Sequence, residues 1–285
     1  MPELLELLDY AFLRRALLAA AMVGLAAPLV GAFLVQRGLS LVGDGLGHVA
    51  LAGVGVGVLT GRTPVWTALA AAVGAALLIE VVRHRGRTGG DVALALLFYG
   101  GIAGGAVLLS LAPAGGADLE SYLFGAITTT SAADVRAFAA LTAVVVLSVL
   151  VLRPWFFAAG NDEEHARAVR LPVFRLNCTL AVLTAVTVVL SMRTVGLLLV
   201  SALLVVPVAT AQRLCRGFGA LLLTAGTLGA AVGVGGVATS AVVGTPSGGT
   251  IVLLALAVFA VVAAAAGLRS SLVRTGWGPR RAPAS

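Results

Sequence analysis

Apolar residues fill long continuous stretches of this chain, and polar residues gather between the stretches. A helix that crosses about 30 Å of hydrocarbon needs roughly 20 predominantly apolar residues, and each stretch approaches that length. Charge, proline or glycine bounds every stretch, as expected where a helix gives way to a loop. The pattern predicts about nine membrane-spanning helices, with eight as the alternative. The apolar stretches lie near residues 16–36, 40–60, 65–82, 91–112, 132–152, 174–191, 194–212, 218–242 and 249–268.

The composition agrees with a protein that lies in a membrane for most of its length. Hydrophobic residues make up 60% of the 285 residues and charged residues 11%, and the mean hydropathy is +1.07. A soluble core of ordinary proportions cannot cover so much apolar surface. We therefore expect an all-α, polytopic integral membrane protein in which residues 1–285 form a single transmembrane domain. The acidic start, MPELLELLDY, is not typical of a removable signal peptide.

The positive charges indicate how the helices are oriented. All 19 positively charged residues are arginines, and they gather at the ends of apolar stretches, where the positive-inside rule places them in the cytoplasm. An even number of predicted helices separates each pair of neighbouring basic segments, so all of these segments can lie on one side. This distribution explains the net charge of +7 without a nucleic acid partner. The basic segments are 83–87, 153–175, 213–216 and the C-terminal tail.

The same rule leaves the acidic segment 112–125, which contains no arginine, outside the cell. It places the C-terminus in the cytoplasm and the N-terminus outside, although Arg14 and Arg15 argue against an outer N-terminus. Asp118 and Glu120 lie in this outer segment, within the sequence DLESYLFG. Acidic side chains there are expected either to attract a cation or a docking partner, or only to be solvated.

The sequence lacks the motifs of common catalytic sites. Because the chain contains no lysine, it cannot carry the phosphate-binding loop GxxxxGK[ST]. HExxH and GxSxG are also absent, so the parts of a metalloprotease or a serine hydrolase are missing. We therefore expect that the chain is not an enzyme. Cys178 and Cys215 lack CxxC spacing and are interpreted as small buried hydrophobic residues.

One aspartate and one histidine stand inside the second apolar stretch, in SLVGDGLGHVALAGVGVGVL. Asp44 and His48 are four residues apart and therefore share one face of a helix. A carboxylate and an imidazole that reach one point form part of a site for Zn²⁺ or Mn²⁺. An aspartate near the centre of a spanning helix costs about 2.5–3.5 kcal/mol on insertion, which indicates a cavity or a partner. The alternative is that Asp44 pairs with His48 only to hold the bundle together.

The remaining metal ligands do not follow from the sequence. The second apolar stretch offers only these two groups, so a full shell needs water, other helices or a second copy of the chain. Glu80 and Asp91 flank the basic segment 83–87 and are expected at the membrane interface, in contact with solvent.

Four segments resemble, in the same order, the permease subunits of ABC-type zinc and manganese importers. GDGLGHVALAGVGVG is similar to that family's second-helix signature, in which a histidine follows the aspartate after four residues. The family's outer segment is similar to DLESYLFG. Its late helix with a central proline resembles VGLLLVSALLVVPVATAQRL, and its last hairpin resembles GTPSGGTIVLLALAVF. The likeness covers nearly the whole chain. It departs at Arg170, where glycine is usual, and in DVALALLFYGGIAGG, which lacks one usual glycine.

The resemblance implies a homodimeric permease with the helical fold of vitamin B12 and siderophore importers. It implies a bacterial plasma-membrane protein that imports Zn²⁺ or Mn²⁺ and holds no permanent cofactor. A separate ABC ATPase would hydrolyse ATP, and an extracellular or periplasmic metal-binding protein would deliver the ion. Asp44 and His48 take the positions that coordinate metal in the translocation path. The loop 153–175 takes the place of the cytoplasmic coupling segment, with candidate residues Asp162, Glu163, Glu164, His165, Arg167 and Arg170.

Two other functions fit the residues. A permease for a metal chelate, such as a siderophore, would share the architecture but would not require Asp44 and His48. A secondary carrier would move cations without ATP and would use the pair as a proton-coupled site, but it has little use for a charged central loop. The choice among zinc, manganese and iron does not follow from one carboxylate and one imidazole.

Overall fold

The computed structural model of the chain describes residues 10–85, 90–111, 125 and 130–275. In these ranges the chain forms nine long helices, one short helix and no strand, which confirms the all-α expectation. The helices are α1 (Ala11–Gln36), α2 (Val42–Leu59), α3 (Pro64–Arg85), α4 (Gly90–Ser110), α5 (Ala132–Asn161), α6 (Glu163–Ala168), α7 (Val173–Val195), α8 (Leu197–Leu214), α9 (Phe218–Val243) and α10 (Ser247–Thr275).

Each of the nine predicted apolar stretches coincides with one long helix. Seven of these helices are long and apolar enough to cross a membrane by length and composition. The other two, α4 and α8, contain the shorter apolar helical segments Leu94–Ser110 and Leu199–Leu214. The protein is therefore a multi-pass membrane protein.

Helix α1 forms the centre of the bundle. It contacts α5, α7, α8 and α9, and 72% of the residues in its most apolar 18-residue segment are buried. Glycine lets α9 approach closely, because a Cβ atom on Gly24 would lie 2.4 Å from the carbonyl oxygen of Gly229. Small residues at such crossings allow tight backbone packing where lipid provides little hydrophobic drive. The core is therefore built around α1.

Helices α5 and α10 lie at the periphery. Only 22% and 11% of the residues in their most apolar 18-residue segments are buried. The two helices expose large side chains such as Leu150 and Leu253. An apolar surface of this kind fits contact with lipid or with another membrane-embedded chain.

The arginine-rich end of the bundle is where the C-terminal ends of α1, α3 and α5 meet the start of α7 and α9. The Arg37 side chain, directly after α1, donates a hydrogen bond to Asn177 of α7. A Cβ atom on Gly219, at the start of α9, would lie 3.3 Å from the guanidinium of Arg153. Basic residues that are distant in sequence therefore share one end, as the even spacing of the basic segments predicts.

Candidate metal-binding site

Asp44 lies in the first turn of α2, whereas the sequence placed it deeper in a spanning helix. The first backbone N–H groups of a helix have no partner within the helix, and the helix dipole is positive at this end. Both effects favour acidic side chains near the N-terminus of a helix. The insertion cost expected for a central aspartate is therefore partly offset by the position of Asp44 in its helix.

Asp44 and His48 lie on one face of α2, as their spacing predicts. The Nε2 atom of His48 is 3.8 Å from the Oδ1 atom of Asp44, and the side chains are 14% and 23% exposed. This separation is too long for a hydrogen bond. It is shorter than about 4.2 Å, the sum of one Zn–N and one Zn–O bond, so both atoms can contact one ion. The geometry suits a shared cation better than a direct hydrogen bond between the two side chains.

Ser201 of α8 is a third polar residue at this site, and sequence reasoning did not single it out. Its hydroxyl donates to Oδ1 of Asp44 at 3.2 Å and also approaches the carbonyl oxygen of Leu197 at 3.4 Å. Helix α8 begins after Gly196, whose φ of 92° separates it from α7. The available signal was that Ser201 is the only polar side chain between Thr194 and Thr210.

Helix α4 packs against the imidazole of His48. The ring of Phe98 lies edge-on to it, with 4.8 Å between the ring centroids and 78° between the planes. A Cβ atom on Gly101 would lie 2.7 Å from the backbone of His48, so only glycine permits this close approach. The Nδ1 atom of His48 is buried and has no hydrogen-bond partner in the described part of the chain. The ring is held in place while its nitrogens are left for another ligand.

One chain provides an incomplete metal shell. No group of three or more His, Cys, Asp or Glu residues that suits a metal ion occurs among the residues that the structure describes. Structural and catalytic zinc sites use at least three protein ligands. A metal ion held by Asp44 and His48 would therefore need further ligands from water, backbone or another chain.

The central segment predicted to couple to an ATPase contains a capped helix at the arginine-rich end. Asp162 is the N-cap of α6 and accepts a hydrogen bond from the backbone N–H of His165 at 2.9 Å. Glu163 and Arg167 form an ion pair of 2.6 Å along the helix. Glu164, His165 and Arg167 are exposed. The segment thus presents charged side chains to the solvent, as a docking surface would.

Arg170 adopts a left-handed backbone conformation, with φ of 59°. It follows the C-terminus of α6, where the N–H of Arg170 donates to Arg167 and that of Leu171 donates to Ala166. This is the Schellman pattern, which usually has glycine at the left-handed position. Arg170 therefore occupies a backbone position that favours glycine.

Several predicted residues are placed differently or lie outside the description. Asp118 and Glu120 fall outside the described residues, and so does the side chain of Asp91. Glu80 is 7% exposed and bonds Arg83 at 2.8 Å, so the expectation of a solvated position was wrong for it. Its burial follows from the packing of α3 against α7 beside Arg37.

The two cysteines are free thiols, consistent with the absence of CxxC spacing. Both cysteines are half-buried, whereas the sequence predicted that they would be buried. The Sγ atom of Cys215 lies 3.2 Å from the hydroxyl of Thr224, so this thiol has a polar neighbour.

The described helices form an apolar bundle around one polar pair, and a charged, capped segment lies at one end of the bundle. The chain belongs to the ABC 3 transport family, whose model matches residues 9–266. It is similar to the manganese transport system membrane protein MntC of Halalkalibacterium halodurans, with 31% identity over 256 residues, 90% of this chain and 88% of that protein.

Two further comparisons agree with this assignment. The chelated iron transport system membrane protein YfeD of Yersinia pestis is 31% identical over 216 residues, 76% of this chain and 72% of that protein. The structure of PsaBC from Streptococcus pneumoniae in complex with a Fab superposes with a TM-score of 0.82 and 28% identity, covering 92% of this chain and 94% of that chain. The expected fold and the resemblance to ABC permeases are confirmed, and the chain is a multi-pass bacterial membrane protein.

Proposed function

We propose that this chain is the permease subunit of an ATP-driven importer of divalent transition metal ions. The observation that carries the proposal is the Asp44–His48 pair, whose Nε2 and Oδ1 atoms are 3.8 Å apart within a helical bundle of the ABC 3 transport family. The metal ion is the cargo of this site, and the protein is expected to hold no permanent cofactor. The pair would contact the ion on its way through the membrane.

Manganese is the first candidate for the cargo, and zinc is the second. A carboxylate and a neutral imidazole bind either ion, so the ligands alone do not select between them. The name of the Halalkalibacterium relative favours manganese. The name of the Yersinia relative favours chelated iron as the alternative cargo.

We propose that the permease works as a homodimer. Two protein ligands and one hydroxyl make an incomplete shell, and a second copy would bring another Asp44 and His48. The weakly buried apolar faces of α5 and α10 provide surface for such a partner as well as for lipid.

Two other proteins complete the proposed transporter. A separate ATPase would hydrolyse ATP, because this chain has no lysine for a phosphate-binding loop. It would dock on the coupling loop 153–175, through Asp162, Glu163, Glu164, His165, Arg167 and Arg170. A metal-binding protein outside the membrane would deliver the ion near Asp118 and Glu120. Residues 1–285 would form one permease domain.

The experiment that tests this function compares the permease alone with the assembled transporter in liposomes. The purified permease is expected to pass little Mn²⁺ under a proton or metal gradient. Addition of ATPase, ATP and loaded binding protein should start inward flux, and competition with Zn²⁺ and with a ferric chelate would rank the cargoes. Rapid gradient-driven flux through the permease alone, unaffected by ATP, would favour a secondary carrier instead.

A further inference from the structure

Arg37 joins three helices at the arginine-rich end. It directly follows α1, and its guanidinium donates to the side-chain oxygen of Asn177 on α7 and, at 3.4 Å, to the carbonyl oxygen of Phe156 on α5. Its stem lies against the last turn of α5, where a Cβ atom on Gly160 would be 3.1 Å from the Nε atom of Arg37. Gly160 thus leaves the space that this side chain occupies.

Two carboxylates act electrostatically on the same guanidinium. Glu80 of α3 is buried, and Glu163 belongs to α6. Burial lowers the pKa of Arg37, whereas the negative charges of Glu80 and Glu163 act in the opposite direction. Glu80, Glu163 and Asn177 also line one cavity of about 70 Å³, which is large enough for a few water molecules. Arg37 therefore shares its surroundings with the first residue of α6.

A short rigid turn connects Arg37 to the metal site. Gly38 has φ of 70°, and the N–H groups of Gly38 and Leu39 donate to Val35 and Leu34. This Schellman pattern fixes the end of α1. Helix α2 starts at Val42, so Asp44 lies seven residues after Arg37. Because only this fixed turn separates them, a displacement of Arg37 is expected to displace the start of α2 as well.

The chemistry of the guanidinium couples the position of the Arg37 side chain to the groups that it interacts with on other helices. Arginine keeps its charge at neutral pH and presents several donors in one plane, which suits simultaneous contacts with different helices. A charge in this half-buried position is costly when its carboxylate and carbonyl partners move away. When α6 and the adjoining end of α5 shift, Arg37 is therefore expected to shift with them.

We propose that Arg37 is a positioning residue that passes movement of the α6 segment to Asp44 at the start of α2. This inference rests on the proposed function, because the movement of α6 would come from the docked ATPase. Arg37 has no contact with the ion in this mechanism. Its role is to make the orientation of the metal site depend on the state of the ATPase.

The test uses the assembled transporter in liposomes with Mn²⁺ as the cargo. Arg37→Gln is expected to lower the Mn²⁺ flux per ATP hydrolysed at least about tenfold, while the affinity for Mn²⁺ and the ATPase rate change little. Arg37→Lys keeps the charge but not the planar donors, and an intermediate loss is expected. Arg216→Gln is the matched control, since Arg216 is exposed in a basic segment and should retain wild-type coupling.

A distance measurement on assembled transporters gives a second readout that does not depend on flux. Spin labels at residues 41 and 256, both exposed, report the position of the start of α2 relative to α10. Trapping the ATPase with ATP should change this distance in wild-type and Arg216→Gln transporters. The distance should not change in Arg37→Gln, and the change should be smaller in Arg37→Lys. An equal change in all four would overturn the role of Arg37, and so would wild-type flux per ATP in Arg37→Gln. Absence of ATP-driven flux in the wild-type transporter would instead contradict the proposed function, and the inference with it.

Discussion

Ser201 donates a hydrogen bond to Asp44 across 157 residues of sequence, at 3.2 Å. This contact joins α8 to α2 at the point where Asp44 and His48 face each other within the bundle. Because the hydroxyl donates to an oxygen that also faces His48, it fixes the direction of the remaining lone pairs of the carboxylate. Ser201 therefore orients the carboxylate that we propose as a metal ligand.

Replacement of Ser201 by alanine should weaken metal binding without preventing assembly. Loss of a hydrogen bond that orients a metal ligand typically costs about 10–100-fold in metal affinity. The measurement is Mn²⁺ affinity of the purified permease by isothermal titration. Ser191→Ala is the control, because the buried hydroxyl of Ser191 has no partner among the described residues. Equal affinities in the two variants would show that Ser201 does not support the site.

Replacement of Glu80 by glutamine should destabilise the protein far more than the same change at Glu163. Glu80 is buried and bonds Arg83 at 2.8 Å, so its loss leaves Arg83 and Arg37 without a buried negative charge, at a cost of about 3 kcal/mol. The Glu163–Arg167 pair is about half exposed and is worth about 0.5 kcal/mol. Thermal denaturation in detergent compares the two. Similar midpoints would contradict the burial of Glu80.

The prediction of the helices succeeded because each depends on a local property. An apolar stretch of sufficient length becomes a helix in lipid whatever its neighbours are, so all nine stretches were recognisable. Asp44 and His48 were also found locally, because four residues on a helix bring two side chains to one face.

The contacts between distant helices were not predictable in this way. The Ser201–Asp44 contact depends on how α8 crosses α2, and one apolar helix with one serine does not specify that crossing. Glu80 was expected in solvent because it stands near a basic segment, and only the packing of α3 against α7 buries it. Arg170 was recognisable in the sequence as a departure from the glycine that is usual in the resembling family. Its left-handed backbone became apparent only from the Schellman turn in the structure.

Replacement of Arg170 by glycine should stabilise the end of α6. A non-glycine residue in the left-handed region costs about 1–2 kcal/mol, and glycine removes this cost. Hydrogen exchange of the amides of residues 166–171 should slow in Arg170→Gly and accelerate in Arg170→Val, whose branched side chain fits this conformation poorly. The same exchange rate in both variants would contradict the described turn.

Neutralisation of the acidic start of α6 should weaken ATPase docking. Asp162→Asn keeps the N-cap, which asparagine also provides, and so separates charge from helix stability. Combined with Glu163→Gln and Glu164→Gln, it should lower the affinity for the ATPase, most clearly at low ionic strength. Pull-down of the ATPase at two salt concentrations measures this effect. Salt-independent, wild-type binding would place docking elsewhere.

The most direct measurement is ATP-dependent Mn²⁺ uptake into liposomes by the assembled transporter, with Asp44→Asn and His48→Ala each tested alone. Each change removes one metal ligand but only one polar contact from the bundle, worth about 0.6–2 kcal/mol, so insertion and dimer formation should persist. His84→Ala, which lies outside the site, is the control. Uptake by the wild type and by His84→Ala, together with its loss in Asp44→Asn and His48→Ala, is the predicted result. Wild-type uptake by Asp44→Asn and His48→Ala would contradict the assignment of this pair as the metal site.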